Sequence, residues 1–236
     1  MNSLEMTLQS CPVFCSLIPS QISELAETCL EQSVKAGRRL YESGQPAQHV
    51  FLLSHGHVQL CHRDRRGRRA IVQSFWPRDL FGACALTPAA TRNLSCEIAR
   101  DSRIVPIPAV SLRRLMTVNA HFASDLVSLL ATESADLRWD LVSTMLHSKR
   151  QRLISLLQAL SETRGIRDGS ETTMPLISHQ ELSEMIGASR ETVTTVLGRL
   201  KQQGVLRFEG RRIILVSDPF AALAAAEEES SERLQR

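Results

Sequence analysis

No apolar run in the 236 residues reaches 18, and no charged-then-apolar leader opens the chain. The expectation is a cytoplasmic protein with no membrane partner. Charge of one sign is scarce too: 28 Lys and Arg against 25 Asp and Glu leave a net charge of +3, so no global basic field marks a nucleic-acid partner. Cysteine is missing from the second half. All six, at 11, 15, 29, 61, 84 and 96, lie in the first, where a reducing compartment favours free thiols or ligands over disulfides. There is no P-loop, no Ser/His/Asp order and no pair of acids set for proton transfer, so no enzyme is expected. What remains is 43% hydrophobic and 22% charged, the balance of a globular chain long enough for one large or two ordinary domains.

The charge that is present is unevenly spread. From His147 to Arg212 there are 11 basic against 7 acidic residues, and from Ile213 to Arg236 there are 2 against 5. The basic stretch contains the most informative segment, Ser178 to Arg212. Ser178 followed by Glu181 is a capping box. Leu182 and Ile186 share one helical face, and Gly187 suits a left-handed C-cap. Ser189 caps a second helix whose buried stripe is Val193, Val196, Leu197 and Leu200. Its opposite face carries Arg190, Glu191, Thr194 and Thr195. Arg can donate twice to guanine, Glu can accept from cytosine, and Thr can meet a thymine methyl or a phosphate. After Gly204, Val205–Phe208 and Arg211–Val216 read as a two-stranded wing turning at Gly210. This is the helix-turn-helix pattern. The expected contacts to double-stranded DNA are Ser178, His179, Ser189, Arg190, Glu191, Thr192, Thr194, Thr195, Arg199 and Arg211.

In chain order, 1–10 reads as a frayed end, followed by a short amphipathic helix through Ile22, Leu25 and Leu30. From Val34 to Ile107, short strands broken by glycine or proline turns every 8–12 residues indicate a β-barrel or β-roll. Within it, His55-Gly56-His57 reads as a turn, and Asn93–Ala99 and Arg103–Ile107 as separate strands. Ala109 to Ser148 reads as helix, with neither Gly nor Pro from Phe122 on. Val127, Leu130, Ser134, Leu137, Leu141 and Thr144 recur at threes and fours, a narrow seam expected to pair two copies of the chain. Leu126, Leu129, Trp139, Met145 and Leu146 lie on other faces and are expected to cover the roll. Thr163–Thr173 reads as a polar loop, and Pro219 onward as a short Ala-rich helix.

A β-roll, a long helix and a winged helix-turn-helix, in that order, resemble the CRP/FNR family of bacterial transcription regulators. In the roll the resemblance is carried by Gly44-x-Pro46-Ala47, Val50–Leu53 with Gly56-x-Val58, Gly67, and Asp79-Leu80-Phe81-Gly82. In the second half it is carried by Leu182-Ser183-x-x-Ile186-Gly187-x-Ser189-Arg190-Glu191-Thr192-Val193 and Leu206-x-x-x-Gly210. It implies an α+β chain. Its parts are a cyclic-nucleotide-binding-like roll (1–108), a dimerisation helix (109–147), a winged helix-turn-helix (148–218) and a tail (219–236). It also implies a homodimer on a palindromic promoter site and contact with RNA polymerase. Thr195 stands where the family usually has a second arginine, so a change of preference at one base pair is expected.

The resemblance places an effector pocket at Gly82, Ala83, Cys84, Arg92 and Asn93. Family members that bind cAMP have a Gly-Glu pair and then Arg-Ser or Arg-Thr. Here Ala83 replaces Glu and Asn93 replaces Ser or Thr, so classical cAMP binding is not expected. Arg92 survives, either to hold an anion or as a solvated surface charge. Cys11, Cys15 and Cys29 lack the tight spacing of an iron–sulfur site. Heme remains a candidate cofactor for NO, CO or redox sensing, with Cys11, His55, His57 and His62 as possible axial ligands. A small metabolite or no ligand is the other alternative. Outside this family, His55-x-His57 would suit a cupin metalloenzyme, but Cys61 stands where a carboxylate would be needed. A DNA-free dimeric signalling protein is the remaining class. Arg63–Arg69 holds five arginines, read either as a solvated hairpin tip or as a contact surface for the polymerase.

Overall fold

The computed structural model describes residues 3–216; the tail and its Ala-rich segment lie outside the described residues. The chain forms two compact units dividing between Asp136 and Leu137. The boundary falls inside the long helix, not at either of its ends.

The first unit opens with α1 (Ser3–Gln9), a 3-10 turn (Pro12–Phe14) and α2 (Pro19–Glu27). The expected frayed start is therefore a helix, held because Leu8 is fully buried with Phe14, Ile22 and Leu25. Then come β1 (Gln32–Val34), β2 (Arg39–Tyr41), β3 (His49–Arg63), β4 (Arg69–Phe75), β5 (Leu80–Phe81) and β6 (Ser95–Pro108). The path β1-β6-β3-β4 is antiparallel, with β2 added to β6 and β5 to β3. β6 is one continuous strand, not the two expected.

His55-Gly56-His57 is not a turn but part of β3, whose register against β6 shifts there. Gly56 has φ of 102°. A Cβ on it would run into the backbone of Asp101 and Ser102, so only glycine lets the two strands stay paired.

Successive β3 side chains point to opposite faces, and both faces are covered. Val50 and Leu52 join the core under the helices, with Val105, Ile107, Leu112, Phe122 and Leu126. Phe51 and Leu53 join a second core inside the roll, with Tyr41, Phe75, Phe81, Ile98 and Ile104. This explains the unbroken apolar run at 50–53. Phe81 lies between Phe51 and Phe75, with ring centroids at 5.3 and 5.0 Å.

α3 (Ala109–Val118) and α4 (Ala120–Leu146) replace the single expected helix. The break is Asn119, which has extended backbone geometry. Its amide donates to Ser16 O and Gln21 Oε1, and its Oδ1 accepts the Phe122 N–H. Leu126 is buried against the helical core and Leu129 packs beside it, as expected. Trp139, Met145 and Leu146 do not cover the roll: they are 60%, 71% and 76% exposed.

The second unit contains α5 (Lys149–Arg164), β7 (Ile166–Asp168), β8 (Glu171–Thr173), α6 (His179–Ile186), α7 (Arg190–Gln202), β9 (Leu206–Glu209) and β10 (Arg212–Leu215). The polar loop expected at 163–173 is a hairpin, and its strands extend the wing into a sheet ordered β7-β8-β10-β9. Arg207 on β9 forks onto both oxygens of Glu171 on β8, at 3.2 and 2.8 Å. Leu153, Leu157, Leu182, Ile186, Val193, Leu197 and Leu200 are the buried apolar faces of the three helices.

Candidate nucleic-acid interface and effector site

Local chemistry sets the two helices of the second unit. The Ser178 hydroxyl accepts the Glu181 N–H at 3.1 Å, while the Glu181 carboxylate accepts the Ser178 N–H at 2.8 Å. Each orphan amide is thereby satisfied. Gly187 ends α6 at φ 64°, in the left-handed region. Ser189 opens α7 by accepting the Thr192 N–H at 3.2 Å.

These bonds sort the expected contacts into two groups. Ser178, Ser189 and Thr192 spend their hydroxyls on the caps. Thr194 is exposed, but its hydroxyl donates to Arg190 O at 2.9 Å and lies 2.9 Å from His179 Nδ1. His179 is half-buried between Thr194 and the Phe208 ring, and burial, then the nearby Arg190 cation, hold its pKa below the usual value. Glu191, Thr195 and Arg199 are exposed and follow one another at successive turns of α7, and exposed Arg190 stands beside Glu191, one turn before Thr194.

No carboxylate among the described residues pairs with Arg190. Glu191 is held below the usual carboxylate range by its own backbone amide, then by Ser189. At neutral pH the exposed part of α7 therefore offers two guanidiniums, Arg190 and Arg199, and one ionised acceptor, Glu191, whose charge Arg190 helps to hold. Arg211 is exposed at the wing turn, where Gly210 has φ 58°. Arg212 is exposed beside it and was not among the expected contacts. The doublet of arginines after a turn glycine was the available signal.

The seam residues stand out from the single chain. Val127 is 59% exposed, Leu130 38%, Leu137 46% and Leu141 55%. Thr144 is exposed and Ser134 half-buried. A helix side this apolar and this wet is an unsatisfied packing surface.

The expected effector residues are brought together, but not as a receptor. Gly82, at φ 79°, leads into a 3-10 turn, Ala83–Leu86. Arg92 is not a solvated surface charge: it is 4% exposed. Its guanidinium donates to Gly82 O at 2.9 Å, to His49 O, and to Cys84 Sγ at 3.3 Å. It lies over the Tyr41 ring at 4.3 Å and the Phe51 ring at 5.4 Å. Arg92 supplies a donor to the His49 carbonyl, which faces away from β6; the carbonyl that turns to β6 is that of Gln48, accepting the Ala109 N–H at 2.9 Å. The donors a cyclic phosphate would need are already spent on backbone carbonyls, and Ala83 has no oxygen for a ribose. Asn93 is exposed and offers its carbonyl to the Ser43 hydroxyl. These residues do not fit a cyclic nucleotide.

The heme candidates are dispersed. Cys11 is buried, and burial pushes its thiol up to about 11, so it is not a thiolate. His55 and His62 are exposed, whereas His57 is buried with its ring 4.7 Å from that of Trp76. The register shift at Gly56 sends His55 and His57 to different environments. No group of three or more His, Cys, Asp or Glu among the described residues could hold a metal ion.

In the Arg63–Arg69 hairpin, three of the five arginines are paired. Arg63 and Arg69 meet Glu97, and Arg68 meets Asp64. Arg65 and Arg66 are exposed and have no carboxylate partner among the described residues.

Residues 151–225 match the Crp-like helix-turn-helix domain, and residues 31–119 the cyclic nucleotide-binding domain. The chain is 23% identical over 207 residues to the CRP-like cAMP-activated global transcriptional regulator of Mycobacterium tuberculosis, covering 87% of this chain and 92% of that one. It is 28% identical over 208 residues to the cyclic AMP receptor protein of Thermus thermophilus, covering 85% and 90%. The structure of FixK2 from Bradyrhizobium japonicum shares the fold with a TM-score of 0.74 at 22% identity, covering 83% and 96%. No described helix is long and apolar enough to cross a membrane.

Proposed function

The chain belongs to the CRP/FNR family of transcription regulators, and from that premise we propose that it reads a palindromic promoter site as a homodimer. It is a regulator with a helix-turn-helix DNA-binding domain, not an enzyme. The observation that carries the finer reading is the exposed side of α7. Arg190 is a free fork for guanine, Glu191 an ionised acceptor for cytosine, and Thr195 a short side chain able to meet a methyl group. Arg199, Arg211 and Arg212 are the phosphate contacts.

Pairing through Val127, Leu130, Ser134, Leu137, Leu141 and Thr144 would bury the apolar side of α4. It would also set two α7 helices about 34 Å apart, one turn of duplex. A signal received by the roll acts by changing the angle or register of that paired helix. Arg65 and Arg66, at the tip of β3–β4, are the cations left free to meet RNA polymerase. Replacing both by Ala is expected to lower transcription in vitro while operator affinity stays unchanged.

The direct test is a gel shift on promoter fragments with and without Arg190→Ala. Wild-type binding is expected to weaken steeply with salt. The variant is expected to lose about 1–3 kcal/mol on the cognate site and to relax discrimination at one base pair. Equal loss on every sequence would remove Arg190 from base reading. Absence of salt-dependent binding on all fragments would remove DNA altogether.

A further inference from the structure

The nucleotide place of the roll is closed by Arg92, yet a cleft of about 680 Å³ lies beside the same loop, along the Thr87–Thr91 segment. That volume is in the range of small-molecule sites. Its walls are short and apolar: Pro46, Ala47, Ala85, Ala90, Pro108 and Ala109 are among them. One strong charge enters it. Arg113, exposed on α3, reaches across to donate to Ala85 O at 3.0 Å. No carboxylate among the described residues pairs with it, and no Asp or Glu lines the cleft. On the rim, Ala89 has φ of 53°. An alanine there carries a steric cost that surrounding structure must hold in place, and such strain concentrates at ligand clamps and switch regions.

We propose that this cleft binds a small amphipathic monocarboxylate, with Arg113 forking onto the carboxylate and the alanine–proline walls taking the hydrocarbon or aromatic body. The chemistry excludes the other classes in turn. A cation meets only like charge. A nucleotide phosphate would meet one arginine, Arg113, with Gln48, His49, Thr87 and Thr91 the other polar side chains on the walls, a weaker match for a multiply charged group than for one carboxylate. A neutral apolar molecule would make no use of the guanidinium, which already donates to the Ala85 carbonyl at 3.0 Å. A carboxylate matches the fork bidentately.

Binding has a route to the rest of the fold. The 83–91 segment is tied to α3 by Arg113, and by Ala47 N–H on Ala90 O, at 2.8 Å, to the residues that lead into β3. Drawing Arg113 off Ala85 O frees α3 from that segment, one helix before α4. The regulatory half of this inference rests on the function proposed above; the binding half does not.

The test is calorimetric titration of the full chain, without DNA, using benzoate and octanoate, with benzyl alcohol, octanol and cAMP as comparators. Both carboxylates are expected to bind and the alcohols to bind at least tenfold more weakly. Arg113→Gln should lose about tenfold, the loss of one charge-assisted pair, while Arg113→Lys retains part of the affinity. Ala90→Leu, which fills the wall, should lose binding with the Arg113 charge intact. No heat from either carboxylate at millimolar concentration overturns the site. So does equal binding by the alcohols, which would mean an apolar cleft only, or unchanged affinity in Arg113→Gln. Gel shifts with bound carboxylate are read separately: failure there removes the regulatory coupling, and failure of DNA binding itself removes the proposed function, while neither changes the titration.

Discussion

Replacing Arg92 by Met keeps the volume of a buried side chain and removes its charge. The guanidinium holds Gly82 O, His49 O and Cys84 Sγ and lies on two aromatic rings. Hydrogen bonds from a charged group contribute about 1.5–3 kcal/mol each, and a desolvated cation over a ring about 2 kcal/mol. Against these stands the cost of burying a charge with no carboxylate partner, several kcal/mol. Gly82 O keeps one donor in the variant, the Ala85 N–H, but the His49 carbonyl loses the donor that Arg92 supplied. The net loss is expected to be about 2 kcal/mol, which lowers Tm by about 4–8 °C in a chain of this size. Differential scanning calorimetry reads it. Arg92→Lys should fall between, because one ammonium nitrogen has to stand in for the two guanidinium nitrogens that reach Gly82 O and His49 O separately. A Tm for Arg92→Met equal to or above wild type would refute the reasoning. The buried cation would then be a net cost, kept for a ligand and not for the loop.

Gly187→Ala forces a Cβ into the left-handed region at φ 64° and should cost about 1–2 kcal/mol, read as an earlier urea midpoint with unchanged slope. Glu133 accepts from Gln73 Nε2 at 3.3 Å, and burial, with Asp79 and Asp136 adding to it, raises its pKa. Its contribution to stability is therefore present at acid pH and lost as pH rises through its folded value. Glu133→Gln should raise Tm by a few degrees at neutral pH, with the gain shrinking as pH falls; a gain independent of pH would contradict this. Val127→Glu with Leu141→Glu places like charges along the exposed seam and should leave a folded monomer by light scattering, with operator affinity down by at least tenfold.

How much of this was readable beforehand depends on how local the cause is. Ser178, Glu181, Gly187 and Ser189 each act on a partner within four residues of themselves, and the helices they cap were legible. The β7–β8 hairpin was also local. Asp168-Gly169 is a turn signal, with Gly169 at φ 59°, but polar residues around it read as a loop. The strand through Gly56 was not local. Gly56 needs the backbone of Asp101 and Ser102 against it, and nothing near position 56 announces that. Arg92 is the extreme case. Its burial requires Tyr41 from β2, His49 and Phe51 from β3, and Gly82 after β5 to arrive together. The break at Asn119 likewise depends on Ser16 and Gln21, about 100 positions away. Thr194 had the right exposure for a base reader, but its hydroxyl is taken by a histidine on the other helix.

The double coverage of β3 bears on how the roll tolerates change. A strand with one wet face accepts substitution at every second position. β4 is of that kind, with Ile71 and Phe75 buried and Val72 42% exposed. In β3, Val50, Phe51, Leu52 and Leu53 are all at most 8% exposed and belong alternately to two cores. A saturation library should show intolerance at four consecutive sites there and at alternate sites in β4. The same arrangement makes the partition between the cores non-negotiable: a slip of one residue would hand each core the other's side chains. Sequence drift in this protein is thereby channelled away from its central strand toward exposed turn residues such as Arg65, Arg66 and Gly67.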